Sequence, residues 1–233
     1  MSTEESVYGK LFVVATPIGN LEDITLRALR ILRECSTVLC EDTRVTKKLL
    51  SHYEIEKPML SYHSHSGTAK YEKVFEMLQE GMTLALVSDA GTPTISDPGS
   101  YLISKIREHF GDTVPIEVVP GPSAVISALS ISGVHADKFT FLGFPPHKKG
   151  RKTFFDNVET SEYTTIFYES PHRIIKALES LRERLDDTKT VTITRELTKM
   201  FEEVVTGTPN EVLSHFLKHP ETVKGEFVVI VSA

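Results

Sequence analysis

The chain has 233 residues, 40% of them hydrophobic and 25% charged, with a formal net charge of −6. That length fits one large α/β domain or two smaller ones, each with its own core, and no apolar run approaches the roughly 20 residues that cross a bilayer. The acidic balance argues against nucleic acid held by overall attraction, although phosphate contact needs only a local basic patch.

The first residues, Met1 to Ser6, carry Glu4 and Glu5 where a secretory signal needs basic charge, so a cytoplasmic location and no membrane partner are expected. Cys35 and Cys40 are the only cysteines. They read as small buried hydrophobes, with a disulfide as the alternative. The histidines are scattered, only His63 and His65 lying close together, and neither Cys-x-x-Cys nor His-Glu-x-x-His occurs, so no metal is expected.

Leu11 to Ala15 reads as a buried strand, followed by the turn Thr16-Pro17-Ile18-Gly19-Asn20 and a helix. Asp23 is the expected N-cap of that helix, with Leu26, Leu29 and Leu32 along one side. Thr37 to Cys40 predicts a second strand, and a helix follows from Thr43 to His52. Pro58 to Tyr62 holds a third strand, and a helix bearing Val74, Phe75 and Leu78 comes next. Thr83 to Ser88 is the clearest strand of this half. A glycine-rich loop, a helix near Tyr101 to His109 and a strand over Ile116 to Val119 complete it. Strands alternating with helices imply parallel pairing through right-handed crossovers.

Pro120-Gly121-Pro122 punctuates the middle, and the boundary is placed there: 1–119 as an N-terminal α/β domain, 120–233 as a second. The second half opens with a helix over Ser123 to Ser132. Strands follow at Phe139 to Leu142 and Thr164 to Tyr168, and between them lies the basic run Lys148, Lys149, Arg151 and Lys152. A regular helix begins near Pro171, its apolar stripe formed by Ile174, Ile175, Leu178, Leu181 and Leu185. The last strands, at 191–194, 203–206 and 226–231, have only one helix among them, which suggests antiparallel pairing and hence a mixed sheet.

Four segments carry candidate chemistry. Ser88 to Gly99 fills the C-terminal end of a parallel strand with small residues and turn formers, where open α/β sheets bind ligands. Gly91 and Gly99 allow close approach, and Asp89 and Asp97 offer carboxylates to a ribose hydroxyl or a positive charge. No lysine follows the glycines, so this is not a nucleoside-triphosphate loop. Its bland alternative is a turn capped by Asp97. Thr16 to Asn20 sits at an equivalent place after the first strand. Glu41-Asp42-Thr43-Arg44 could position a hydroxyl nucleophile or bind phosphate; otherwise Asp42 caps the next helix and Arg44 makes a surface ion pair. The run Lys148 to Lys152 is either a solvated loop or, beside Phe144, Phe154 and Phe155, a strip for phosphates and bases.

The segments Ala15 to Leu21, Glu41 to Arg44, Ser88 to Pro93, Ser96 to Gly99, Pro120 to Ala124, Phe167 to Arg173, Thr194 to Lys199 and Gly225-Glu226, taken in order, resemble the tetrapyrrole-methylase superfamily. Within it they are similar to the branch that methylates the 2'-oxygen of a cytidine ribose in the decoding centre of 16S ribosomal RNA. The resemblance implies two α/β domains of the tetrapyrrole-methylase type, an N-terminal parallel sheet and a C-terminal mixed sheet, with S-adenosylmethionine in a cleft between them. It also implies a homodimer. By motif match, Pro17, Ala90, Gly91, Thr92, Ile95, Ser123, Ala124 and Glu169 lie near the cofactor, with Tyr168 and Gly225 after them. Many members of the branch carry a small helical extension at the C-terminus, whereas this sequence stops at Ser232-Ala233. Substrate grip is then expected from the cleft, the basic loop and the dimer partner.

The implied reaction is an in-line methyl transfer to a ribose 2'-oxygen, for which alignment is the enzyme's main contribution. Asp42, Glu41 and Asp89, in that order, are the candidate bases, and Arg44 and Arg173 the candidate holders of flanking phosphates. Replacing Asp42 with Asn is expected to cut turnover and spare cofactor binding. The partner is 16S ribosomal RNA or the small ribosomal subunit. A small-molecule methylase acting on a tetrapyrrole is the alternative; it would want a broad apolar cleft and have no need of the basic run. A non-catalytic cofactor- or ribosome-binding module is the third reading, disfavoured by the carboxylates at 41 and 42.

Overall fold

The computed structural model describes residues 8–62 and 68–233. The early histidine pair at 63 and 65 and the first six residues lie outside that range. The chain divides into two compact units, the first ending at Ser123 and the second beginning at Ala124.

The first unit holds five strands, β1 (Lys10–Val14), β2 (Thr37–Cys40), β3 (Met59–Ser61), β4 (Thr83–Leu86) and β5 (Ile116–Val119). All pair in parallel, in the order β3-β2-β4-β1-β5. Four helices cross between them: α1 (Leu26–Glu34), α2 (Thr43–His52), α3 (Thr68–Gln79) and α4 (Gly99–Phe110). Nearly every residue of the three inner strands β2, β4 and β1 is buried because both faces are covered, which is why those strands are continuous apolar runs, whereas the edge strands β3 and β5 are only partly buried. Phe12, Val14, Val38, Cys40 and Ala85 pack with α1 and α2, through Ile31, Leu32 and Leu50. Leu11, Val13, Leu39, Leu84 and Leu86 pack with α3 and α4, through Leu78, Leu102 and Ile106. Cys35 and Cys40 are buried free thiols.

The start of α1 differs from expectation. A short 3-10 turn, Leu21–Asp23, is capped by the Asn20 side chain, and α1 is capped instead by Thr25, whose hydroxyl accepts the Ala28 N–H at 3.0 Å. Asp23 lies inside the turn and caps nothing. Leu26 is consequently the first helical residue and is 86% exposed, and the buried side is Ala28, Ile31 and Leu32.

The second unit contains α5 (Ala124–Ser132), β6 (Phe139–Phe141), α6 (Arg151–Glu159), β7 (Thr164–Glu169), α7 (Ile174–Arg182), β8 (Val191–Arg195), β9 (Glu203–Gly207), α8 (Pro209–Lys218) and β10 (Phe227–Val231). Its sheet runs β6-β7-β10-β8-β9, with β6 and β7 parallel and the other pairs antiparallel, so it is mixed. The last strand in sequence is the central one, and all five of its residues are buried. One face packs against α6, α7 and α8 through Phe155, Leu178, Phe216 and their neighbours, and α5 covers the other. α8 opens with a capping box between Thr208 and Glu211, and Pro209 occupies its first turn. Among the described residues no helix is long and apolar enough to cross a membrane.

Candidate active site

In the first unit β1 and β4 are neighbours, yet their outgoing helices leave on opposite faces: α1 packs on one side of the sheet and α4 on the other. The carboxyl ends of these two strands therefore form a topological switch point, the place where open α/β sheets leave a crevice for ligands. The loops there are tied together. Thr16 and Gly91 form an antiparallel bridge, with N···O distances of 2.9 and 3.1 Å. The buried Thr16 hydroxyl donates to Ser88 O at 3.1 Å, and Ser88 Oγ donates to Gly91 O at 3.0 Å. Thr92 Oγ1 donates to Pro122 O at 3.1 Å, which adds the β5 loop, next to Ser123. Gly91 has φ +81°, and a Cβ there would lie 3.2 Å from the Ile18 side chain. Pro17, Ala90, Gly91, Thr92 and Ser123 are thus brought to one edge, with Ile95 47% exposed on the same loop.

That loop also holds Thr94 and Ser96 at φ +78° and +57°. Non-glycine residues there are strained, and such strain collects at ligand-binding sites. Asp97 supports the turn: Oδ1 accepts the Gly99 N–H at 2.7 Å and the Tyr62 hydroxyl at 3.3 Å. Its Oδ2 is buried with no hydrogen-bond partner among the described residues. Burial, and then the charge of Asp97, push the Tyr62 phenol far up, so it remains a donor.

Asp42 and Asp89 meet across β2 and β4, with the Asp42 N–H donating to Asp89 Oδ1 at 3.1 Å. Asp42 is the N-cap of α2. It accepts the Arg44 N–H at 2.8 Å, and the Arg44 guanidinium grips both of its oxygens, at 2.6 Å from Nη2 to Oδ2. The Arg44 side chain, then its backbone amide, hold the Asp42 carboxyl down at about 2. Arg44 is 87% exposed on its outer side.

In the second unit Glu169 closes β7 with its side chain fully buried. Arg151 reaches its Oε2 at 3.2 Å and Arg173 its Oε1 at 3.0 Å, and Arg173 also donates to Pro145 O and Ser170 Oγ. Arg151 and Arg173, expected to hold substrate phosphates, both form ion pairs with this buried carboxylate. The basic run is also not one loop. Gly150, at φ +87°, starts α6, so Arg151 and Lys152 are helical, and only Lys148 and Lys149 stay in the exposed turn before it. Of the aromatic neighbours, Phe155 lies in the core and Phe154 packs against it, leaving Phe144 half exposed. Tyr168 meets the Phe141 ring edge-on and the Phe144 ring at a tilt, its phenol raised by burial while the Val125 amide, next to Ala124, pulls the other way.

Gly225 lies at the same end of the sheet as Glu169, because Phe227 is in register with both Glu169 and Arg195. It has φ +84°, and a Cβ would stand 2.2 Å from Glu196 Oε1. Glu196 itself accepts the Glu226 N–H at 3.0 Å and the Lys199 ammonium at 2.9 Å, and Lys199 bridges to Glu226. This lock was not foreseen residue by residue. Its signal in the sequence is the pair of segments Thr194 to Lys199 and Gly225-Glu226.

The family model for Tetrapyrrole (Corrin/Porphyrin) Methylases matches residues 10–213. The chain belongs to this methylase family. Within it, a Thermotoga maritima protein named ribosomal RNA small subunit methyltransferase I is 42% identical over 96% of this chain and 98% of its own length. A protein of the same name from a Hydrogenobaculum strain is 46% identical, covering 96% of this chain and 95% of its own. Among solved structures, Thermus thermophilus uroporphyrin-III C-methyltransferase in complex with S-adenosylhomocysteine superposes with a TM-score of 0.64 at 19% identity, over 96% of this chain and 97% of that one. The last likeness shows the methylase fold. Among the described residues of this methylase no group of three or more His, Cys, Asp or Glu is arranged to hold a metal.

Proposed function

We propose that this protein methylates a cytidine ribose 2'-oxygen in 16S ribosomal RNA, with S-adenosylmethionine as the methyl donor. The observation that carries the reading is the near full-length relation to proteins named ribosomal RNA small subunit methyltransferase I. The loop chemistry fits the donor. S-adenosylmethionine has no phosphate but offers ribose hydroxyls, amines and an adenine. The switch-point loops carry apolar Pro17, Ala90 and Ile95, a glycine at 91 where a Cβ would press on Ile18, and the buried acceptor Asp97 Oδ2, which has no partner among the described residues and suits a hydroxyl or amine donor. In the second unit, Ala124, Tyr168, Glu169 and Gly225 are our further candidates. There Glu169 acts by fixing the chain around it rather than by facing ligand.

When bound, S-adenosylmethionine supplies a methyl group made electrophilic by its sulfonium. The chain's own task is to align a ribose hydroxyl and to accept its proton as the oxygen attacks. Asp89 is better suited to that than Asp42. It is exposed at the end of β4, whereas Asp42 is gripped by Arg44 and held at an acidity too strong for a good base. Glu41, second in the order read from the sequence, is kept as a further candidate base. Arg44, Lys148, Lys149 and Lys152 stay exposed and are the side chains we assign to phosphate contact. We further propose that the protein works in the cytoplasm as a homodimer. Met200 and Phe201, 90% and 67% exposed between β8 and β9, with Val204 beside them, give an apolar surface that a second copy would cover.

The test is methyl transfer from labelled donor offered small ribosomal subunits, protein-free ribosomal RNA and a porphyrinogen. Label in RNA and none in the porphyrinogen is expected. Label in the porphyrinogen alone would move the protein to the small-molecule side of the family.

A further inference from the structure

The exposed face of α2 carries a stripe of cations. Arg44, Lys47 and Lys48 stand at spacings i, i+3 and i+4, opposite the buried Thr46, Leu49 and Leu50. The helix contains no acidic residue. A solvated surface helix in an acidic protein ordinarily mixes signs, and like charges at i,i+4 oppose helix formation by roughly 0.2–0.5 kcal/mol. Cations near the helix N-terminus also oppose the macrodipole. Arg44 is offset by its ion pair with the N-cap Asp42, whereas Lys47 and Lys48 add positive charge to the same face with no such partner.

α1, which covers the same sheet face, makes a useful contrast. Its Arg27 and Arg30 meet Glu117 and Glu34, and its Arg33 donates to Tyr53 O. The side chains of Lys47 and Lys48 make no hydrogen bond or ion pair among the described residues. The stripe also starts at the carboxyl end of β2, where Asp42 meets Asp89, and runs away from it along the helix. From Arg44 to Lys48 the helix rises about 6 Å, a span that these long side chains can extend to neighbouring phosphates.

We propose that the outer face of α2 is an RNA-backbone contact surface, with Lys47 and Lys48 holding phosphates beyond the nucleotide placed at the Asp42–Asp89 loops. This rests on the rRNA-methylation reading for its substrate. It names a grip on that substrate separate from the Lys148–Lys149 turn. Flexible ammonium groups on one face give sequence-independent attraction, so they set position and affinity rather than base choice.

The experiment is equilibrium binding of a protein-free ribosomal RNA fragment and of small subunits across a salt series. It compares wild type, the Lys47→Gln/Lys48→Gln variant and the charge-keeping Lys47→Arg/Lys48→Arg variant. The Gln variant should lower the slope of log K against log salt by about one per lysine, on matched and scrambled RNA alike. The Arg variant should keep the slope, and the Gln variant should melt no lower than wild type. Equal slopes for wild type and the Gln variant overturn the proposal. So does a change seen with subunits but absent with protein-free RNA, which would assign the face to a ribosomal protein. If the slopes behave as expected while wild type transfers no methyl to either RNA, the methylation reading falls and the contact surface stands.

Discussion

Asp42 and Arg44 show how a catalytic-looking pair can be engaged in structure. Both Asp42 oxygens are taken by Arg44, and the carboxylate caps α2 as well. A carboxyl whose folded value lies below its unfolded one stabilises the fold above roughly pH 4, and that contribution is lost as pH falls toward 2. A titration followed by carbon-detected NMR should place the Asp42 midpoint near 2, and Arg44→Ala should return it toward 3.8. An unmoved midpoint in that variant would contradict the pairing. Asp89→Asn should lower kcat by roughly 10²–10⁴-fold while donor affinity by calorimetry stays at the wild-type value. If Asp89→Asn keeps full turnover, the proton leaves by another route. Glu169 and Gly225 could be singled out in the sequence only by family likeness, because what explains them is distant. The partners of Glu169 include Arg151, 18 positions away, and Gly225 is shaped by the Glu196 carboxylate.

Elements were legible where one physical signal dominated. β2 and α2 fall on the expected residues because a short apolar run and a strong capping Asp bound them. The mixed second sheet follows from three late strands with a single helix among them. Boundaries failed where two signals competed. Asp23 and Thr25 are both good caps two residues apart, and the 3-10 turn that ends at Asp23, tied down by Tyr53 OH to Leu21 O, gave the position to Thr25. Thr25→Ala should therefore cost about 1 kcal/mol in chemical denaturation, and Asp23→Ala much less. Equal losses would put the cap back on Asp23. α6 was hidden because its cap is Gly150 in the left-handed region, a conformation that the basic run around it does not announce.

For the whole molecule, net charge was the weakest guide. A value of −6 hides the acid-free exposed face of α2 and the Lys148–Lys149 turn, and both matter more for an RNA substrate than the sum does. The alternation of strands and helices was enough for the fold class, because parallel sheets force buried strands and crossover helices. The candidate ligand edge was legible as well, since glycine and small residues gather after β1 and β4. The pairing that tightens it, Thr16 with Gly91, joins residues 75 positions apart and emerged only in three dimensions. The central claim is 2'-O-methylation of small-subunit ribosomal RNA, and alkaline hydrolysis tests it most directly. A 2'-O-methyl group removes the hydroxyl that attacks the neighbouring phosphate, so the labelled product from small subunits should yield one alkali-resistant dinucleotide beginning with cytidine. Label recovered wholly in mononucleotides, or no label in the RNA at all, would contradict the account.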